Sequence, residues 1–270
     1  MQISGGMSST IEDGGGDDDD YGGEEGLDDF PIVGSAQEIL DDKPSASSSS
    51  FDFPAEEEVS FSGKSENYCV CFIDMVNSTV VTSGLASAKL VRYYSIFLNA
   101  TAAIAKNFGA KVIKNAGDCL IYYFPATSDP ASNAAFSDVL ECCTAMIDAN
   151  KVINARLNTE GLPPLGYRIS ADYGKVEVAR SATSNSDDLF GSTMNLCAKI
   201  NSKAPKNGVV VGADLYRVIQ SIPAVAELYN FEQVCSYLVG PEQQQYPVFS
   251  VARRQKRNIV NPFKVMPARS

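Results

Sequence analysis

The segment Lys111–Phe124 constrains the fold more than any other stretch of this sequence, because its pattern predicts a β-hairpin. Two β-branched and aromatic runs flank Asn115-Ala-Gly-Asp118, which is typical of a tight turn. We expect Lys114 to close the first strand and Asp118 to open the second. Taken alone, an aspartate that follows a glycine at a hairpin tip is usually a turn residue.

A second aspartate provides a partner for that tip. The apolar run 68–73 predicts a buried strand, and Asp74 stands at its exit. If sheet pairing places this strand beside the hairpin, Asp74 and Asp118 lie side by side. Two such carboxylates form an oxygen-rich site of the kind that binds Mg²⁺ in phosphoryl-transfer enzymes. Without the partner, Asp74 would be read as the polar end of a strand.

The remaining pattern predicts an α+β fold. Apolar residues recur at helical spacing over 87–106 and 134–157, and Gly174 predicts a second hairpin between 166–173 and 175–179. The later predictions are a helix over 189–203, a strand over 208–211, a helix over 214–222, and strands over 229–234 and 247–251. The order β-α-β-β-α-β, with appended elements, is that of a ferredoxin-like palm with the first strand and the first hairpin at its centre.

The composition divides the chain into three parts. Residues 1–66 carry 18 acidic side chains against two lysines, whereas the other 204 residues carry 15 acidic and 20 basic ones. With its Gly and Ser runs, this first part predicts a disordered acidic tail, either a tether or a binding segment for a protein partner. Residues 67–252 are the predicted globular domain, and 253–270 a basic C-terminal tail. The low pI therefore reflects the acidic tail and gives no support for a nucleic-acid partner.

The residue types that are missing restrict the chemistry. The chain has no histidine, which excludes Ser-His-Asp hydrolysis, Cys-His nucleophilic catalysis and histidine acid–base catalysis. Its seven cysteines show no Cys-x-x-Cys spacing and mostly fall in apolar patterns, where a thiol behaves as a small apolar group. The first residues lack a signal-peptide pattern, and no apolar run approaches the ~20 residues that span a bilayer. We therefore expect a cytoplasmic protein without membrane insertion.

Three segments together are similar to one family. Phe72–Thr79, Lys114–Asp118 and Asp188–Lys199 resemble, in order and spacing, the signatures of the class III adenylate/guanylate cyclase catalytic domain. The resemblance covers roughly residues 67–252. It implies an elaborated βαββαβ palm that works as a head-to-tail homodimer with its sites at the interface. It also implies conversion of ATP to 3′,5′-cyclic AMP and pyrophosphate.

The resemblance further implies the metal and phosphate ligands. Asp74 and Asp118 would hold two Mg²⁺ or Mn²⁺ ions, with the backbone carbonyl of Ile73 as a further ligand. Asn77 stands where many relatives have glycine, and asparagine tolerates the left-handed conformation. The backbone N–H groups offered to the phosphates would come from Asn77, Ser78 and Thr79.

Base recognition is implied by a lysine and an aspartate. Lys114 lies four residues before Asp118 and would donate to an adenine ring nitrogen, while Asp188 would accept from the 6-amino group. Asp187 is adjacent, and only the spacing of Asp188 to Asn195 favours Asp188. The alternative interpretations are a solvated lysine and a helix N-cap.

One position departs from the family pattern. Asn195 matches the residue that orients the ribose, but Lys199 stands where the family has its transition-state arginine. Lysine keeps the charge and loses the bidentate contact with the α-phosphate. This implies either a slower cyclase or a regulatory module that binds nucleotide with little turnover. An exposed helical lysine is the other interpretation, and Lys203 and Lys206 are candidates by position for the cation on the terminal phosphates.

Two further classes stay open. A non-enzymatic interaction protein would bind its partners through the charged ends of the chain. A guanylate cyclase is a weaker alternative. A diguanylate cyclase shares the palm, but Asn115-Ala-Gly-Asp118 does not supply its Gly-Gly-Asp/Glu-Glu-Phe hairpin.

Overall fold

The computed structural model of the chain describes residues 59–181 and 187–254. The first half of the domain runs β1 (Val59–Met75), α1 (Ser78–Ser83), α2 (Ser87–Asn107), β2 (Lys111–Ala116), β3 (Cys119–Phe124), a 3₁₀ turn (Pro125–Ser128) and α3 (Asn133–Thr159). The second half runs β4 (Tyr167–Ser181), β5 (Asp187–Phe190), α4 (Ser192–Asn201), β6 (Val209–Gly212), α5 (Ala213–Gln220), α6 (Pro223–Ala226), β7 (Tyr229–Val239) and β8 (Gln244–Arg253).

The strands form a single mixed sheet. Its order is β2-β3-β1-β4-β6-β8-β7, with β5 paired to the outer part of β4. Strand β1 pairs antiparallel with both β3 and β4, so the first four strands of the path have the ferredoxin-like order. The predicted ferredoxin-like fold is confirmed, but the predicted central position of the hairpin is wrong, because β2 is the edge strand and β3 joins it to β1.

One face of the sheet carries the main core. Alternate residues of β1, including Cys69, Cys71 and Ile73, pack with Phe97 of α2 and Leu140 of α3. These five side chains are fully buried. Because two long amphipathic helices cover this face, the strands that contact them need an apolar residue at every second position.

The opposite face carries a smaller core under α4. The alternate residues of β1 that face this side include Val70, which packs with Ile121, Val176, Met194 and Cys197. Asp74 is four residues after Val70 on the same strand, so its side chain lies on this second face. All seven cysteines are free thiols, and five of them are buried, as the apolar pattern predicts.

The two long helices follow their predictions closely. Helix α2 ends where Phe108 and Gly109 begin the turn, and Gly109 has a left-handed φ of 80°. Helix α3 buries an apolar face that includes Phe136, Met146 and Ile153. Long periodic segments determine their own structure, since burial of the apolar face fixes the helix against the sheet.

The predicted hairpin at Gly174 is wrong, because β4 is one continuous strand through that position. A Cβ atom at Gly174 would lie 2.7 Å from the Thr193 hydroxyl oxygen. The glycine therefore permits the first turn of α4 to approach the sheet closely and does not reverse the chain.

The predicted helical start at Leu189 is also wrong. Residues Asp187–Phe190 form β5, which pairs antiparallel with the segment 177–180 of β4. Helix α4 begins only at Ser192, after Gly191 with a φ of 129°. Asp188 is thus a strand residue, and the alternative of an N-cap does not apply to it.

The first hairpin is tighter than its sequence suggests. Strand β2 extends to Ala116, so Lys114 lies within the strand and does not close it. The turn consists of Gly117, with a left-handed φ of 61°, and Asp118. Asp118 is therefore held by the turn itself, one residue before β3 starts.

The described strands extend into both segments that the composition assigned to the tails. Strand β1 begins at Val59, and residues 59–61 and 64–66 pair with β4. At the other end, β8 includes Arg253. The rest of the predicted tails, 1–58 and 255–270, and the loop 182–186 lie outside the described residues. Among the helices described, none combines the length and the apolar character that crossing a bilayer requires.

Candidate active site

Sheet pairing brings the two predicted metal ligands together. Asp74 of β1 lies opposite Cys119 of β3, and Asp118 is the residue before Cys119. Partial burial raises the pKa of the Asp74 carboxyl, and the negative charge of Asp118 raises it further. The two carboxylates therefore repel each other beside the turn of the hairpin.

Arg168 is a member of this site that the sequence interpretation missed. It lies opposite Asp74 on β4, and its guanidinium donates a hydrogen bond of 3.2 Å to the Asp74 carboxylate. This contact opposes the two effects that raise the pKa of Asp74. The buried Nε of Arg168 has no hydrogen-bond partner among the described residues. The available signal was an arginine between Tyr167 and Ile169 at the start of the predicted strand.

The chemistry of these donors fits a hard divalent cation. Carboxylate oxygens are preferred ligands of Mg²⁺ and Mn²⁺, and a cation would relieve the repulsion between Asp74 and Asp118. Within residues 59–181 and 187–254 no cluster of three or more acidic, cysteine or histidine side chains is placed to hold a metal. Protein side chains would therefore supply two ligands, and phosphate or water oxygens the others. Ile73 lies inside the β1 ladder, and its carbonyl as a ligand stays a prediction.

The segment after β1, predicted as a loop, contains a short helix, and the left-handed conformation that asparagine tolerates is present at Asn77. Asn77 adopts φ 58° and ψ 32°, the left-handed region, at the N-cap of the short helix α1. Ser78 and Thr79 form the first turn of that helix, and the first backbone bond inside it joins the Val81 N–H to the Asn77 carbonyl. The role of this loop in phosphate binding stays a prediction.

The two residues predicted to read the base are in direct contact. The Lys114 ammonium lies 2.7 Å from a carboxylate oxygen of Asp188. The neighbouring Asp187 is turned away and accepts a hydrogen bond of 2.9 Å from Arg180. The two adjacent aspartates therefore have different partners, whereas in the sequence only the spacing to Asn195 distinguished them.

Helix α4 presents the remaining two predicted residues. Asn195 and Lys199 are both exposed and lie one helical turn apart. The Lys199 ammonium lies 4.8 Å from the centre of the Tyr237 ring on β7. Among the described residues the Lys114–Asp188 pair makes no ion pair with Asp74 or Asp118, and Asp74 pairs instead with Arg168.

A buried polar contact fixes α4 to the catalytic sheet. The Asn201 amide donates to the Phe72 carbonyl of β1 at 3.1 Å and to the Ser170 hydroxyl of β4 at 3.2 Å. The Ser170 hydroxyl in turn donates to the Cys197 carbonyl at 2.8 Å. These bonds set the orientation of the helix that carries Asn195.

The two lysines considered for the terminal phosphates differ in their surroundings. Lys203 and Lys206 are both exposed. The stem of Lys206 packs over Gly166, where a Cβ would lie 2.3 Å from the lysine Cε. The Gly166 carbonyl accepts the backbone N–H of Val76, directly before Asn77. Lys206 is therefore near the predicted phosphate loop.

Known proteins resemble the chain over this whole domain. The family profile of the adenylate and guanylate cyclase catalytic domain matches residues 61–251. An adenylate cyclase of Streptomyces coelicolor is 27% identical over 142 residues, which are 53% of this chain and 31% of that protein. A cytidylate cyclase of Staphylococcus aureus is 20% identical over 156 residues, 56% of this chain and 37% of that protein. The chain thus spans about a third of the length of these relatives.

A solved structure has the same fold. The adenylyl cyclase CyaB from P. aeruginosa superposes with a TM-score of 0.62 at 18% identity, covering 73% of this chain and 98% of that one. The relatives named here act on different nucleotides, so they specify the reaction class and not the base. The chain belongs to the family of class III adenylate and guanylate cyclase catalytic domains.

Proposed function

We propose that this protein is an adenylate cyclase that converts ATP to 3′,5′-cyclic AMP and pyrophosphate at the interface of a homodimer. The observation that carries the proposal is the contact of 2.7 Å between the Lys114 ammonium and the Asp188 carboxylate. It places one donor beside one acceptor. Adenine has a donor at position 6 and an acceptor at N1, and guanine has the reverse, so the choice of adenine rests on the family resemblance, which sets Asp188 opposite the 6-amino group and Lys114 opposite the ring nitrogen.

The reaction joins the ribose 3′ oxygen to the α-phosphorus and breaks the bond from that phosphorus to the bridging oxygen of pyrophosphate. The ribose hydroxyl gives its proton to water, and the pyrophosphate leaves with the electron pair of the broken bond. Asp74 and Asp118 would hold the divalent cations. When bound, these cations lower the pKa of the 3′ hydroxyl and neutralise the polyphosphate. This role for metal is consistent with a chain that has no histidine base.

The chain's own cations would act on the phosphates. The Arg168 guanidinium, which contacts the Asp74 carboxylate, would also be placed to donate to the polyphosphate. Asn195 would orient the ribose, and Lys199 would neutralise the charge that develops on the α-phosphate. By the family resemblance, the complete site would take Asp74, Asp118 and Arg168 from one subunit and the α4 and base-reading residues from its partner.

A second candidate function follows from Lys199 itself. Lysine has no planar fork for a bidentate phosphate contact, so the domain would bind ATP and act as a regulatory module with little turnover. Under this alternative the Lys114–Asp188 pair still reads adenine, and the catalytic step is lost.

A nucleotide panel separates these functions. Purified protein is incubated with ATP, GTP, CTP or UTP, each with Mg²⁺ or Mn²⁺, and products are identified by mass spectrometry. The proposal predicts cyclic AMP and pyrophosphate in equal amounts from ATP, and loss of both in Asp118→Asn. Preferential formation of another cyclic nucleotide would overturn the base assignment. Calorimetric binding of ATP without any product would favour the regulatory module.

A further inference from the structure

Lys199 does not extend freely into solvent. Its ammonium lies 4.8 Å from the centre of the Tyr237 ring, within the range of a cation–π contact. The ring belongs to β7, on the far side of the sheet path from β1, whereas Lys199 belongs to α4. The contact therefore links the helix of the site to a strand that otherwise contributes nothing to it.

The ring itself is held in place. Tyr237 is half-buried and packs against an apolar cluster of Ile200, Ala204, Val210 and Val248. Because Ile200 follows Lys199 on α4, the helix and the ring share this cluster. Helix α4 is fixed independently through the bonds of Asn201 to β1 and β4. Both partners of the contact thus stand on rigid elements.

Lysine is more flexible than arginine, so a contact that restrains its side chain would have more effect on its position. A guanidinium is a rigid planar fork, whereas a lysine ammonium ends a flexible stem with four carbons. Transition-state stabilisation requires charge that is already in position before the reaction. An aromatic face beneath the ammonium restricts the stem and leaves the N–H donors on the other side for a phosphate oxygen.

We propose that Tyr237 is a positioning residue that holds the Lys199 ammonium in place for the α-phosphate and so compensates for the absent arginine fork. The inference rests on the proposed function. Tyr237 acts only through Lys199, so its effect falls on the chemical step and leaves nucleotide binding unchanged.

Kinetic constants of variants test this role. Tyr237→Leu removes the ring and should lower kcat for ATP roughly two- to five-fold with KM unchanged, the rate equivalent of one exposed cation–π contact. Tyr237→Phe keeps the ring and should retain the wild-type kcat. In a Lys199→Ala background, Tyr237→Leu should have no further effect. An equal loss of kcat in both backgrounds would overturn the proposal, because it would show that the ring acts on packing alone.

A spectroscopic readout keeps the test independent of turnover. In the wild-type protein the ε-methylene protons of Lys199 should show an upfield ring-current shift, which Tyr237→Leu abolishes and Tyr237→Phe retains. The Lys199→Arg spectrum assigns the signals. Absence of the shift in the wild type would overturn the positioning contact, even if cyclic AMP is formed. Presence of the shift in a protein that makes no cyclic nucleotide would reject the proposed function while the contact itself stands.

Discussion

The Lys114 ammonium and the Asp188 carboxylate lie 2.7 Å apart, although 74 positions separate them in the chain. Lys114 belongs to β2 at one edge of the sheet, and Asp188 to β5, which pairs only with β4. The lysine side chain is 50% exposed and that of the aspartate 26%. A pair this accessible contributes little to stability, so its removal should leave the fold intact.

Removing the lysine should therefore separate activity from stability. Lys114→Ala should change the free energy of unfolding by less than about 1 kcal/mol, as for other exposed pairs. The same variant should lose about 10- to 100-fold in kcat/KM for ATP, the equivalent of one hydrogen bond to a charged group. Thermal denaturation and steady-state kinetics measure the two effects.

Arg180→Ala provides the matched control for this prediction. It breaks the adjacent Arg180–Asp187 pair, which is also exposed, and should leave both quantities near the wild-type values. An equal loss of ATP turnover in the two variants would show that any charge change on this surface is sufficient.

The carboxylate pair predicts opposite effects on activity and on metal-free stability. Asp118→Asn removes a proposed metal ligand and should lower kcat more than about 100-fold, beyond typical outer-shell losses. Without metal, the same change removes the charge that raises the pKa of Asp74 and should stabilise the fold by up to about 1 kcal/mol. Denaturation in the presence of a chelator measures the change in metal-free stability, and a cyclase assay measures the change in kcat. A destabilised metal-free Asp118→Asn variant would contradict the repulsion between the two carboxylates.

Some features of this molecule could be predicted from the sequence because they depend on long, regular patterns. Helix α2 was expected over 87–106 and is observed over Ser87–Asn107. The neighbouring positions of Asp74 and Asp118 followed from the strand order, since β1 must lie beside the hairpin in a ferredoxin-like sheet. Local chain pattern and global topology agree at these places.

Other features depend on contacts that a linear pattern does not contain. Gly174 predicts a turn, but its real constraint is the hydroxyl of Thr193, which comes from a helix that packs on the strand. Arg168 enters the site only because the β1–β4 register sets it opposite Asp74. A shift of one residue would place that guanidinium on the opposite face.

Asp172 predicts an unusual dependence of stability on pH. Its side chain is fully buried, and burial raises its pKa to about 7. Tyr246 donates a hydrogen bond of 2.7 Å to it and the Tyr173 N–H one of 2.9 Å, while the acidic Asp214 lies nearby. Because the folded pKa is higher than the unfolded value, the folded state binds more protons between about pH 4 and 7. Stability from this group is therefore present at low pH and lost as the pH rises toward 7.

The expected magnitude is measurable by denaturant unfolding at two pH values. Between pH 8 and pH 5 the wild type should gain about 2–3 kcal/mol relative to Asp172→Asn, whose side chain does not titrate. Comparing the two proteins cancels the other titrating groups. A constant difference between them at both pH values would contradict the raised pKa of Asp172.

The ion pairs of Arg253 should contribute to the stability of the domain. Its guanidinium, on a side chain only 11% exposed, lies 3.1 Å from Glu141 and 3.2 Å from Asp148 on α3. Arg253→Met should destabilise the domain by about 3–5 kcal/mol, because it leaves partly buried carboxylates without this cation. Arg254→Met, at the exposed neighbouring position, should cost less than about 1.5 kcal/mol. Similar midpoints of urea unfolding for the two variants would show that the buried cation has no special role.

The central claim is that two subunits share each site, and mixing two inactive variants tests it most directly. Asp118→Asn disables the metal half and Lys199→Glu disables the other half, so each protein alone should form no cyclic AMP. Copies of the two variants, expressed together in equal amounts and assayed as the unseparated mixture of mixed dimers and homodimers, should recover about a quarter of the wild-type rate, since half of the dimers are mixed and each has one intact site of two. A preparation that contains mixed dimers and still forms no cyclic AMP would contradict the shared site.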